Sequence, residues 1–163
     1  MWFGKKRTGD TTMTRIMRYA LAALLIGTVC GCRYSLPPGF VKVDPIWDTR
    51  VRAVSAEGAA ITLRVETNPE NGDLAFWEKA IMTRLVEFRG YRLADRREIK
   101  HGDETPGVQM TFDYQRDGID YTYVVNVMVK GRKVYCIEIA GEKTDIAPQL
   151  TAISDAVRKW PLS

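Results

Sequence analysis

Two neighbouring stretches decide the architecture: Asp120–Val129, DYTYVVNVMV, and Val134–Lys143, VYCIEIAGEK. In the first, Tyr121, Tyr123, Val125, Val127 and Val129 fall on alternate positions, the period-two pattern of a strand. In the second, Val134 to Ala140 is apolar on both parities apart from Glu138, which predicts a central strand covered on both faces. Gly131-Arg132 supplies the turn between them, and so short a connection forces antiparallel neighbours. Val108, Met110, Phe112 and Tyr114 alternate in the same way up to an Asp117-Gly118 turn, which adds a third strand to the meander.

On the N-terminal side, VRAVSAEGAAITLRVE (Val51–Glu66) reads as two strands around Glu57-Gly58, with Ile61, Leu63 and Val65 on one parity and Thr62, Arg64 and Glu66 on the other. NPENGD (Asn68–Asp73) is dense in turn residues. The period then changes. Leu74, Trp77, Ile81, Leu85 and Phe88 lie at helical spacing between an N-cap, Asp73, and a stop, Gly90, which predicts a helix over 74–89. Tyr91–Ile99 reads as a strand and HGDETPG (His101–Gly107) as a polar loop. Ile146, Leu150, Ile153, Val157 and Trp160 predict a second helix, with Asp145 as cap, Pro148 in its first turn and Pro161 at its end. The fold class is α+β: an antiparallel sheet of five or six strands, packed by an inserted helix bearing Trp77 and a C-terminal helix bearing Trp160, both tryptophans in the core.

Residues 19–29, YALAALLIGTV, form an uncharged run of 11, whereas a helix that crosses a bilayer needs about 20 apolar residues. Lys5, Lys6, Arg7, Arg15 and Arg18 precede it against Asp10 alone, the form of a secretory signal, and Met13 opens a signal of more usual length than Met1. Val29-Cys30-Gly31-Cys32 closes the run and resembles the bacterial lipobox. Cys32 has Val29 and Gly31 where an aliphatic and a small residue are wanted, and Cys30 has neither; a disulfide across one glycine is poor geometry. The sequence thus divides into a lipoprotein signal peptide, 1–31, a lipidated N-terminus and tether, 32–40, and a single domain, 41–163. Arg33 after the cysteine, rather than aspartate, points to an outer membrane, with the domain facing the periplasm.

From Cys32 onward the chain carries 19 basic and 19 acidic residues, so the excess of the full chain belongs to the signal and no basic field for nucleic acid remains. Arg96-Arg97 and Arg132-Lys133 read as solvated positions. Cys136 is the single thiol left, without a disulfide partner. His101, the only histidine, reads as a solvated loop residue without companions for a metal site, and no Gly-x-Ser-x-Gly elbow, phosphate loop or dinucleotide glycine pattern occurs. Asp113, Asp117 and Asp120 in DYQRDGID lack calcium-loop spacing. These readings predict neither catalysis nor cofactor nor metal. Glu138 is the odd residue: a lone acid in an apolar strand must be satisfied, so an ion pair with an Arg or Lys of an adjacent strand is expected, with a pocket as the alternative.

The order of elements resembles the PsbP/MOG-type α/β/α sandwich: a strand pair, a helix carrying an aromatic, a polar loop, the Tyr-rich strand DYTYVVNVMV, then VYCIEIAGEK leading into a C-terminal helix. The resemblance spans about Phe40 to Trp160 and is nearest to small bacterial lipoproteins of the DcrB kind. It implies a domain that docks to larger partners, as an extrinsic photosystem II subunit and Ran-binding import factors do, without a shared reaction. The expectation is a membrane-anchored, non-enzymatic periplasmic lipoprotein that binds or positions an envelope protein partner. The alternative is a small-molecule or ion-binding lipoprotein associated with a transport system. A concave pocket ringed by polar groups favours the second, and an exposed aromatic patch without a pocket the first.

Overall fold

Turn chemistry sets the strand connections. Asp117 and Gly118 both take positive φ, 53° and 80°, the two-residue hairpin geometry that matches strand twist. The computed structural model describes residues 34–163; the signal peptide and Cys32 assignments fall outside them. The strands are β1 (Phe40–Val43), β2 (Thr49–Ser55), β3 (Ala60–Thr67), β4 (Arg92–Lys100), β5 (Pro106–Arg116), β6 (Ile119–Lys130) and β7 (Lys133–Glu142). Helix α1 (Leu74–Met82) runs into a π turn (Thr83–Glu87) between β3 and β4; after β7 come α2 (Lys143–Ile146), a 3-10 turn (Ala147–Gln149) and α3 (Leu150–Val157).

One sheet holds all seven strands in the order β1-β2-β3-β7-β6-β5-β4, every pair antiparallel. The central position belongs to β7, in register with β3 from Ala60↔Ala140 to Thr67↔Lys133 and with β6 from Tyr121↔Glu142 to Lys130↔Lys133. The class is α+β, with seven strands where the pattern gave five or six. The extra strand is β1: four residues after Pro-Pro-Gly are too few to show a period, yet Phe40 is buried and pairs with Ser55.

The C-terminal segment covers one face. Ile61, Leu63, Tyr135, Ile137 and Ile139 pack there under Ile146, Ile153, Val157 and Trp160. Gly141 lets the chain turn tightly from β7 into α2, because a Cβ there would lie 2.8 Å from Ile146 Cδ1. A polar chain is built into this layer: Arg97 Nε donates to Gln109 Oε1 (2.7 Å), and Gln109 Nε2 donates to Asn126 Oδ1 (2.7 Å). Helix α1 covers the other face over Val108, Met110, Phe112, Val125 and Val127. Arg96 ties it to β4 through two bonds to Glu78, of 2.9 and 3.0 Å.

Several expectations are corrected. The inserted helix does not keep its pitch: the wider π turn rotates later residues off the stripe, leaving Phe88 79% exposed, and Trp77 is only half-buried. Asp73 does cap it, accepting from Phe76 N at 2.8 Å, and Gly90 ends it with φ 70°. The C-terminal helix is in pieces, because Pro148 lacks the amide a continuous ladder needs and the chain opens into the 3-10 turn; Asp145 lies inside α2, not at a cap. Residues 34–40 are packed rather than a free tether: Pro37 is buried and Leu36 partly so, Tyr34 meets Trp160 edge-on at 5.5 Å, and Trp160 Nε1 donates to Ser35 O at 2.6 Å. His101 is 2% exposed, not solvated, because residues 158–162 fold back over its loop; its Nε2 contacts the Trp160 carbonyl, and Gly102 N donates to Arg158 O at 2.8 Å.

Candidate functional site

Period two sends Thr62, Arg64 and Glu66 of β3, Tyr123 and Val125 of β6, and Cys136 and Glu138 of β7 toward the α1 side. Helix α1 lies over β5 and β6, so the β3–β7 part of this face is left uncovered. An open cleft of about 340 Å³ results. Trp77, Ile81 and Leu85 form its helical wall, Arg84 and Arg89 its rim, and Tyr91 one end.

Glu138 stands on the floor, its side chain mostly buried. Its Oε2 accepts from Thr62 Oγ1 at 3.0 Å across the β3–β7 pair. Arg64, diagonal to it on β3, brings Nε to 3.4 Å and also reaches Asp48 at 3.6 Å. That guanidinium is loosely held, because the buried Nε has no aligned hydrogen-bond acceptor. Burial pushes the Tyr123 phenol up, and the negative charge of Glu138 and a hydrogen bond to it act in the same direction. Burial also pushes the Cys136 thiol up to about 12, with Glu138 and Glu66 adding to it. The thiol is therefore protonated at neutral pH and no nucleophile.

The rim differs in character. Arg84 and Arg89 are exposed and make no ion pair among the described residues. Beyond Tyr91 the wall continues as stacked rings: Tyr91 on Tyr114 at 4.4 Å, Tyr114 on Tyr121 at 5.0 Å, with Tyr123 edge-on to Tyr91 at 5.8 Å. Three guanidiniums face two carboxylates, Glu66 and Glu138, so the cleft is net positive and flanked by aromatic faces. Such a surface can hold an anion and a flat apolar body together.

The other residues singled out from the sequence lie elsewhere. Asp113 is held by Arg92 (2.6 Å) and Lys143 (3.1 Å), and Asp117 sits at the β5–β6 turn. No group of three or more metal-ligating side chains occurs among the described residues, and no helix there is long and apolar enough to cross a membrane. Sequence reasoning missed Arg84 and Arg89. A signal existed for the first: the spacing 77, 81, 84 puts Arg84 on the face that carries Trp77 and Ile81.

No protein-family model and no curated protein matches the chain. Solved structures do. LpqN, involved in cell envelope biogenesis of Mycobacterium tuberculosis, aligns over 77% of this chain and 78% of its own with 13% identity and TM-score 0.59. CyanoP, the PsbP of the cyanobacterium Synechocystis, aligns over 74% and 81% with 9% identity and TM-score 0.53. A Pseudomonas aeruginosa protein of unknown function aligns over 76% and 81% with 15% identity and TM-score 0.55. At these identities the likeness is one of fold: the chain has the PsbP-like α+β sandwich.

Proposed function

We propose that the protein is a lipid-anchored, non-enzymatic component of the cell envelope whose cleft holds a small organic anion with a flat or ring-shaped apolar portion. The cleft carries this reading: guanidiniums at the rim, Glu138 and the Tyr123 phenol on the floor, aromatic walls between, in a volume of the size small ligands occupy. Its walls offer no nucleophile paired with a base, which favours binding over turnover. The anchor rests on Cys32 within Val29-Cys30-Gly31-Cys32, and a structural neighbour involved in envelope biogenesis is consistent with an envelope setting. Arg33 favours the outer membrane. The cleft thus moves ligand binding ahead of partner docking.

Native mass spectrometry of the protein extracted from envelopes tests the reading. A small-molecule adduct is expected on the wild type and is lost in Glu138→Gln and Arg84→Ala. A wild type free of adduct but bound to a protein in fixed stoichiometry would reject it. Docking is the second reading, favoured by Phe76 and Phe88, 58% and 79% exposed on α1 and just after its π turn. Palmitate labelling that persists in Cys32→Ala would remove Cys32 as the attachment point, and recovery in inner-membrane fractions alone would remove the outer-membrane assignment.

A further inference from the structure

We propose that the Asp44–Asp48 loop between β1 and β2 is a membrane-contacting element that seats Trp47 in the headgroup layer of the bilayer to which Cys32 is anchored. This rests on the anchor reading above. Trp47 is 97% exposed and its neighbour Ile46 is 45% exposed, an apolar pair at a loop tip with nothing of the domain over it. Its backbone is unusual for a bulky residue, at φ 55°, in the left-handed region. That conformation is imposed locally: Ile46 N donates to Thr49 Oγ1 (3.0 Å), while Ile46 O accepts from Thr49 Oγ1 (2.7 Å) and Thr49 N (3.1 Å). A bulky side chain held outward against backbone strain is a feature that intramolecular packing does not explain.

The position of the loop identifies the partner. Arg50, just past it, donates to the carbonyl of Ser163; Trp160, three residues earlier, donates to Ser35 O. The loop and the point where the packed chain begins therefore share one end of the sheet, and Cys32 precedes Tyr34 by two residues. Tyr34 itself is docked on Trp160, so no free spacer follows it to let the domain stand off or turn over. At about 3.3 Å per residue, an acylated Cys32 holds this end within about 10 Å of its membrane. Among the described residues, Arg132, Lys133 and Lys159 are exposed cations of the same end without ion-pair partners, and Asp44, Glu66 and Glu70 are unpaired acids there. Tryptophan is a side chain suited to the interface, with an apolar body and a polar N–H, and nearby cations favour phospholipid phosphates.

The test uses the acylated protein purified from cells and reconstituted into vesicles of phosphatidylethanolamine and phosphatidylglycerol whose acyl chains are brominated. Bromine quenches indole emission on contact. Trp77 and Trp160 report from within the domain, so the difference between wild type and Trp47→Phe isolates Trp47, and its exposure makes that substitution neutral for folding. The expected result is strong quenching in wild type that is absent from Trp47→Phe. Equal emission of the wild type in brominated and non-brominated vesicles, with intact mass showing acylation, overturns the membrane contact while the anchor stands; the loop then faces away from the lipid and is free for a protein. An intact mass without lipid removes the anchor and this inference with it.

Discussion

The two faces of the sheet are covered unequally. On one, the C-terminal segment seals the strands: Trp160 is 1% exposed, Ile146, Ile153 and Val157 are fully buried, and even the imidazole of His101 is enclosed. On the other, α1 has no fully buried residue and leaves the β3–β7 floor open. The sealed face carries apolar pairs, a hydrogen-bonded polar chain and one unpartnered buried nitrogen, His101 Nδ1; the open face carries a loosely held guanidinium, a raised phenol and two arginines without ion pairs among the described residues. The difference teaches a division of labour within one sheet. Burial on the sealed side supplies stability, and the open side keeps polar groups accessible where a fully packed core would have excluded them.

Substitutions on matched tryptophans sharpen the comparison. Trp160→Ala should cost about 3 to 5 kcal/mol in denaturant melts, because a buried indole, its bond to Ser35 and its contact with Tyr34 are lost together. Trp77→Ala should cost less, about 1 to 2 kcal/mol, since the ring is half-exposed and its Nε1 bond to Asn68 is long at 3.3 Å. Equal costs would break the division between faces.

Alkaline pH offers a smaller effect. The folded Cys136 thiol keeps its proton up to about 12, whereas an unfolded thiol loses it near about 8.5. Between those values the unfolded chain binds fewer protons, so stability is intact below about 8.5 and declines as pH rises, by under about 1 kcal/mol at pH 9. Cys136→Ala should flatten that slope between pH 8.5 and 10, measured by melts across the range; an unchanged slope would place the titrating group elsewhere. Smallest of all, Arg84→Ala should leave stability within about 0.5 kcal/mol, because the side chain is exposed and unpaired, while abolishing ligand retention in native mass spectra. A large loss of stability would make Arg84 part of the scaffold.

What was legible in the sequence follows the range of the interactions. The alternation in β5, β6 and β7, the Asp117-Gly118 turn and the Asp73 cap are local, and each is where the pattern puts it. Glu138 could be singled out because an acid among apolar neighbours violates a local rule, and it lies beside Arg64 on the cleft floor. Strand β1 was too short to show a period. The burial of His101 depends on residues 158–162 returning from the far end of the chain, and no local pattern reports that. Phe88 leaves the stripe because a single π turn changes the phase of every residue beyond it, whereas Arg84, near the start of that turn, keeps the helical spacing and lines the cleft.

Hydrogen exchange tests the division between faces most directly. The protein is followed before and after addition of a small-molecule extract of the cells that make it. The account predicts slowed exchange in Leu74–Glu87 and in β7 around Glu138, with Leu150–Trp160 unchanged. Slowed exchange in Leu150–Trp160 with none along the α1 wall would contradict it.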